Sequence, residues 1–263
     1  ASKLTSERNL YVFDGVGSIV SSTNELHEDN GSITESDLAI EDETDAEALR
    51  DVLLKWARGV DVKDEDGDGS TRDFVSRMGD PIHSQPIIVN YGTNDSAIFV
   101  ATNHGMLHSI DTETGDENFA IMPKELLPNI EHFYKDASSF DHKYGLDGDM
   151  VLRTVGNKMY LYVGMRRGGR NYYVFDVTQK TSPKLVYKLE GGTGSLSKLG
   201  ETWSRPTITK VKIGGVVKDV MIVGGGYDNA HNFSSALPTF AHYMRLGGYL
   251  TCLSGKMHFV GAD

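Results

Sequence analysis

Asp64, Glu65, Asp66, Gly67, Asp68, Gly69, Ser70, Thr71, Arg72 and Asp73 follow one another without a large apolar side chain. Carboxylates at relative positions one, three and five of such a run, with glycine at six, form the front half of a calcium-binding loop of EF-hand type. In that geometry alternate residues of a tight turn aim hard oxygen donors at one point, and the glycine lets the backbone fold back. Asp64, Asp66 and Asp68 are therefore candidate ligands for Ca2+. Ser70, at position seven, offers its backbone carbonyl. Asp73 takes the place of the glutamate that usually closes the loop at position twelve, where this chain has Val75, and Asp61 is a spare ligand. Three carboxylates within five residues repel one another, so a divalent cation would order the loop by neutralising them. The competing reading is a solvated acidic turn.

Other residues with chemical potential read as structural. His104 and His108 are four apart on or beside a strand, where that spacing covers roughly 13 Å, too far to chelate one ion. Asp80, His83 and Ser84 have the side chains of a hydrolase triad, but neighbouring strand residues point to opposite faces. Gly224, Gly225 and Gly226 follow a strand without a helix after them, so a phosphate-binding reading lacks its context. Arg166, Arg167 and Arg170 flank two glycines and could grip an anion; a solvated hairpin tip is the simpler account.

The whole chain sets limits on these readings. Its 263 residues carry 26 Lys and Arg against 37 Asp and Glu, a formal net charge of -11, which repels a polyanion and excludes nucleic acid as an expected partner. The longest aliphatic runs, such as Val220 to Val223, are a few residues against the roughly 20 needed to span a bilayer, so no membrane-spanning segment is expected. The single cysteine, Cys252, excludes an internal disulfide framework. The chain opens with Ala1, not Met, which reads as a processed or excised piece.

The elements that must position the loop are legible in outline. Asn9 to Asp14 reads as a strand. The acidic stretch from Asn24 to Glu43 reads as a mobile excursion, solvated or ordered, with little core of its own. Ala46, Leu49, Leu53, Trp56 and Ala57 recur at helical spacing, which predicts an amphipathic helix from Asp45 to Arg58, stopped by Gly59 and packed on a sheet. From Gly79 onward short β-branched and aromatic runs alternate with Gly, Asn and Asp. Strands are expected at 82–90, 97–102, 106–111, 118–121, 151–155, 159–163, 172–177, 184–189, 207–211, 217–223 and 248–252, joined by tight turns into antiparallel sheet.

A weak repeat, marked by the aromatics Phe119, Tyr187 and Phe259, recurs at a period of about 40 to 75 residues and points to propeller blades. The expected fold class is all-β, an incomplete β-propeller with quinoprotein-like blades and one helix before the acidic loop. Residues 1–78 would lead into it, and 79–263 would form about four blade-like units, too few to close a ring alone.

Several strings together resemble one family. They are Lys55-Trp56-Ala57-Arg58-Gly59-Val60-Asp61, the Asp64 to Asp73 loop, Met78-Gly79-Asp80-Pro81-Ile82-His83-Ser84-Gln85-Pro86, Thr102 to His108, Val163 to Thr178, Leu199 to Pro206 and Gly224 to Asp228. In this order, over about residues 9 to 228, they are similar to the PilC/PilY-type pilus-tip adhesins. The resemblance implies the C-terminal β-propeller of a secreted, non-enzymatic bacterial protein at the pilus tip and cell surface. It implies a role in type IV pilus biogenesis, adhesion and twitching motility, with pilins or minor pilins and a host or abiotic surface receptor as partners. In that family calcium is linked to pilus extension and retraction. The family's best-known calcium loop has no counterpart before Asp263, so the Asp64 to Asp73 site rests on spacing alone.

The alternative is an enzyme. The pattern from Gly105 to Gly115 also resembles quinoprotein-type propeller dehydrogenases. Those commonly carry adjacent cysteines at the cofactor, whereas this chain has one cysteine.

Overall fold

Alternation of large apolar and polar residues from Ile87 to Leu189 folds as two antiparallel meanders in the computed structural model, which describes residues 8–75, 78–136 and 142–227. In the first, β3 (Ile87–Gly92), β4 (Asp95–Ala101), β5 (Leu107–Asp111) and β6 (Glu117–Pro123) pair in sequence order. In the second, β7 (Met150–Val155), β8 (Lys158–Gly164), β9 (Tyr172–Asp176) and β10 (Lys184–Leu189) do the same. A hairpin of β11 (Thr207–Ile213) and β12 (Val216–Ile222) follows, turning at Gly214 and Gly215 with φ 57° and 84°, the left-handed pair that a tight hairpin requires.

The first strands of the two meanders, β3 and β7, touch, as inner strands of adjacent blades do around a propeller axis. The architecture is all-β with short helices, an incomplete propeller whose sheets close no barrel among the described residues. The expected strand at 248–252, with Cys252 and Phe259, lies outside the described residues.

The N-terminal segment ties the two meanders together. β1 (Leu10–Phe13) adds parallel to β6, and β2 (Gly17–Ser18) adds antiparallel to β10, so one short run borders the outer strand of each sheet. Edges that would otherwise offer unpaired N–H and C=O groups are covered. Phe13 inserts its ring edge-on against Tyr173 and Phe175 of β9, with ring centroids 5.3 Å from each.

The remaining edge of β1 is covered by the acidic excursion: the Val12 N–H donates to the Asn24 carbonyl at 2.7 Å and the Leu26 N–H to the Leu10 carbonyl at 2.9 Å. This corrects the expectation of a stretch with little core. Leu26, Ile33, Leu38 and Ile40 are all buried, four apolar anchors spaced among acidic residues, of which Glu28 pairs with Arg58 and Asp37 with Lys124. Arg50 completes the attachment. It lies buried on α1 (Ala46–Ala57) and donates to the carbonyls of Ile33, Asn30 and Glu28 at 2.5, 2.7 and 2.9 Å.

The helix itself follows the predicted stripe but not the predicted partner. α1 packs chiefly against α2 (Asn129–Tyr134), with Trp56 edge-on to Tyr134 at 6.0 Å. Two strand expectations also shift. Ile82 is exposed and β3 starts only after Pro86, because Pro81 and Pro86 remove ladder donors. Tyr187 is exposed where Phe119 is buried: a bulge between Leu185 and Tyr187 inserts a residue and turns both Val186 and Tyr187 outward.

Candidate metal site

The acidic loop is a closed excursion pinned at its base. Beyond α1 the Gly59 N–H donates to the Trp56 carbonyl at 2.9 Å with φ 91°, the left-handed stop that glycine allows. Val60 then bridges to Phe74. The Asp61 N–H donates to the Asp73 carbonyl at 2.8 Å, and the Val75 N–H to the Gly59 carbonyl at 2.7 Å. Position twelve of the loop is thus a rung of this backbone clasp, which accounts for an apolar residue there.

Inside the clasp, the Asp61 carboxylate is fully buried and accepts the Glu65 N–H at 3.0 and 3.1 Å. Asp64 accepts the Gly69 N–H at 3.1 Å, Asp66 the Asp68 N–H at 3.3 Å, and Asp68 the Ser70 N–H at 2.9 Å. These contacts turn the backbone so that one carboxylate oxygen from each of Asp64, Asp66 and Asp68 lies within 4.8 Å of the others. Gly67, at φ 71°, makes the reversal between them.

Of the expected ligands, the structure brings these three together. Ser70 uses its hydroxyl to accept the Arg72 N–H at 3.3 Å, and Asp73 is outside the cluster of three, its backbone part of the clasp. The donor set is three carboxylates, all hard oxygen, with Asp64 half-buried and Asp66 and Asp68 exposed.

The other sequence candidates separate. His83 pairs its Nδ1 with buried Asp147 at 2.7 Å, Ser84 accepts the Ala101 N–H at 3.2 Å, and Asp80 accepts the Asn103 amide at 3.0 Å. Three side chains with three separate partners make no triad. Arg166 lies over the Trp203 ring at 4.6 Å and Arg167 over Tyr144 at 5.1 Å, so both pack on aromatic faces.

One charged group went unmarked in the sequence. Arg8, just before β1, makes a two-pronged pair with Glu117 at 2.6 and 2.7 Å, and Glu117 also accepts from His108 Nδ1 at 2.6 Å. Strand alternation places His108 inward; nothing local reveals that Arg8, 109 residues from Glu117, would meet it. Burial by itself would raise the Glu117 carboxyl, yet hydrogen bonds from His108 and Arg8 outweigh it and hold the group at about 2. Burial lowers the His108 imidazole, against the opposing pull of Glu117.

No family model matches the chain. A type IV pilus biogenesis factor PilY1 homolog of Xylella fastidiosa is 26% identical over 190 residues, covering 61% of this chain and 15% of that protein. The type IV pilus biogenesis factor PilY1 of Pseudomonas aeruginosa is 25% identical over 216 residues, covering 70% of this chain and 18% of that protein. The chain is a sequence relative of the PilY1-type pilus biogenesis factors. It spans less than a fifth of the length of these two relatives.

The crystal structure of the Pseudomonas aeruginosa PilY1 C-terminal domain aligns with a TM-score of 0.38 at 28% sequence identity, over 51% of this chain and 26% of that one. A stretch of 37 residues is 62% identical to the choline-sulfatase of Rhizobium meliloti, 14% of this chain and 7% of that protein. That span is below the roughly 50 residues of a small domain. Among the described residues no helix is long and apolar enough to cross a membrane, which says nothing of a β-barrel.

Proposed function

We propose that this chain is a non-enzymatic part of a type IV pilus biogenesis factor, acting at the bacterial surface and pilus tip in pilus assembly, attachment and twitching motility. The observation that carries the reading is the similarity to PilY1-type proteins over 61% to 70% of the chain. Pilins or minor pilins and a surface receptor are the partners it calls for. Ca2+ is the proposed ligand of the acidic loop, held by Asp64, Asp66 and Asp68 with the Ser70 carbonyl and Asp73 completing the set as the loop closes on the ion.

The pilus role is tested by deleting the gene and counting surface pili and twitching zones. Restoration by the wild-type gene supports it, and unchanged piliation in the deletion strain removes it. Calcium is tested on the protein itself. A ligand that binds only the folded state adds about 2.7 kcal/mol of stability at a hundred times its dissociation constant. Titration should therefore raise the melting temperature of the wild type and leave the Asp66→Ala, Asp68→Ala double variant unmoved. Mg2+ should do less, because it demands tighter octahedral geometry than an open carboxylate loop supplies. A flat wild-type curve in calcium would leave a solvated acidic turn.

A further inference from the structure

Away from the acidic loop, a cavity of about 20 Å³ lies between α1, α2, β5 and the turn before it, with Arg8, Trp56, His104, His108, Ile130 and Phe133 on its wall. A space of this size holds about one water molecule. Its walls are mostly aromatic and aliphatic, with Arg8, His104 and His108 as the polar members. His108 is 2% exposed, and its Nδ1 is engaged by Glu117 at 2.6 Å. The carboxylate at that distance makes Nδ1 the donor, with Arg8 Nη2 3.2 Å from the same nitrogen, and in the neutral ring that burial favours Nε2 then carries a lone pair. That Nε2 is buried and meets no donor among the described residues.

A buried acceptor without a donor is unfavourable, and the usual remedy is an ordered water with two to four polar partners. Here the Arg8 guanidinium and the His104 imidazole share the wall with His108. We propose that this cavity is a built site for a single water molecule, which donates a hydrogen bond to His108 Nε2 and accepts one from the Arg8 guanidinium. The bound water completes a ring of contacts from Glu117 on β6 through His108 on β5 to Arg8 just before β1. It holds the imidazole in the neutral Nδ1–H form while satisfying its second nitrogen.

The test is a high-resolution crystal structure of the protein paired with imidazole ¹⁵N spectra. A density peak within hydrogen-bonding distance of Nε2 and of a second polar atom, with Nε2 reporting as an unprotonated acceptor, is the expected result. An empty cavity, a collapsed one, or a proton found on Nε2 overturns the proposal. Xenon-pressurised crystals separate wet from dry: xenon filling a space that shows no water peak without it marks an apolar void and also overturns it. In His108→Met the peak should vanish, and its persistence would mean that His108 does not build the site. Should that variant fail to fold, the wild-type density and spectra decide.

Discussion

Replacing Phe13 with alanine is expected to cost about 3–5 kcal/mol, the usual loss for a buried phenylalanine, and to loosen the second sheet more than the first. The asymmetry follows from where its two ends are held. The Phe13 backbone belongs to β1 and pairs with Pro123 of β6 in the first sheet. Its ring rests on Tyr173 and Phe175 of the second, at interplanar angles of 85° and 87°, the edge-to-face arrangement that aromatic rings favour. Truncation leaves the strand ladder of β1 intact and opens a cavity between the sheets. Urea unfolding gives the total, and amide exchange locates it: β9 and β10 should lose protection while β5 and β6 keep most of theirs. Equal loss in both sheets, or none in β9, would show that the N-terminal segment does not couple the blades.

The coupling explains how an incomplete propeller is held together. Blades in a closed ring are braced by neighbours on both sides, whereas here the described sheets touch along β3 and β7 and are also joined from outside by residues 10–18. Close backbone packing reinforces the join. A Cβ on Gly145 would sit 2.5 Å from the Gly105 backbone, and one on Gly168 would sit 1.8 Å from the Gly145 carbonyl oxygen. Segments before β5, before β7 and between β8 and β9 therefore meet main chain to main chain, which only glycine permits.

What the sequence reveals of this arrangement is the part governed by neighbours in the chain. Lys184–Leu189 has the same bounds in the sequence reading and in the fold, and the amphipathic stripe of α1 buries Leu53, Trp56 and Ala57 as its spacing requires. Asp64, Asp66 and Asp68 converge for the same reason, since their geometry is set by turns within a few residues.

Features set by distant pairing are illegible. The parallel docking of β1 on β6 joins residues 110 apart in the chain, such as Leu10 and Ala120, and no local pattern announces it. Arg50 reads as one more charge on a helix surface, yet its guanidinium donates to three carbonyls of the acidic excursion as well as to the Asp51 carboxylate. The bulge that exposes Tyr187 depends on the partner strand and defeats a count by alternation.

Removing the carboxylate at position 117 should be as costly as removing the Phe13 ring. Glu117→Ala leaves Arg8 and His108, with side chains 8% and 2% exposed, buried without the group they both donate to. Stranding buried partners in this way costs about 3–5 kcal/mol.

The pH dependence identifies the carboxylate as the cause. With its pKa held at about 2, below the ordinary 4.5, Glu117 contributes stability that is fully present above pH 4.5 and is lost as the pH falls from there toward 2. His108 acts in the same direction. Burial lowers its pKa below 6.5, so the unfolded chain takes up that proton first and stability begins to fall once the pH drops below 6.5.

Wild-type stability should therefore decline in two stages on acidification. Glu117→Gln keeps the side-chain shape but has no proton to gain. Its unfolding free energy should start lower at pH 7, fall through the histidine range, and then fall less steeply than the wild type between pH 4.5 and 3, where Asp37, Asp111, Asp176 and Asp219, also held low, titrate in both proteins. The two curves should converge in acid, because protonation makes the native carboxyl as neutral as the amide. Parallel curves over that range would mean that some other carboxylate governs the acid limb and that the buried pair of Arg8 and His108 is satisfied without Glu117.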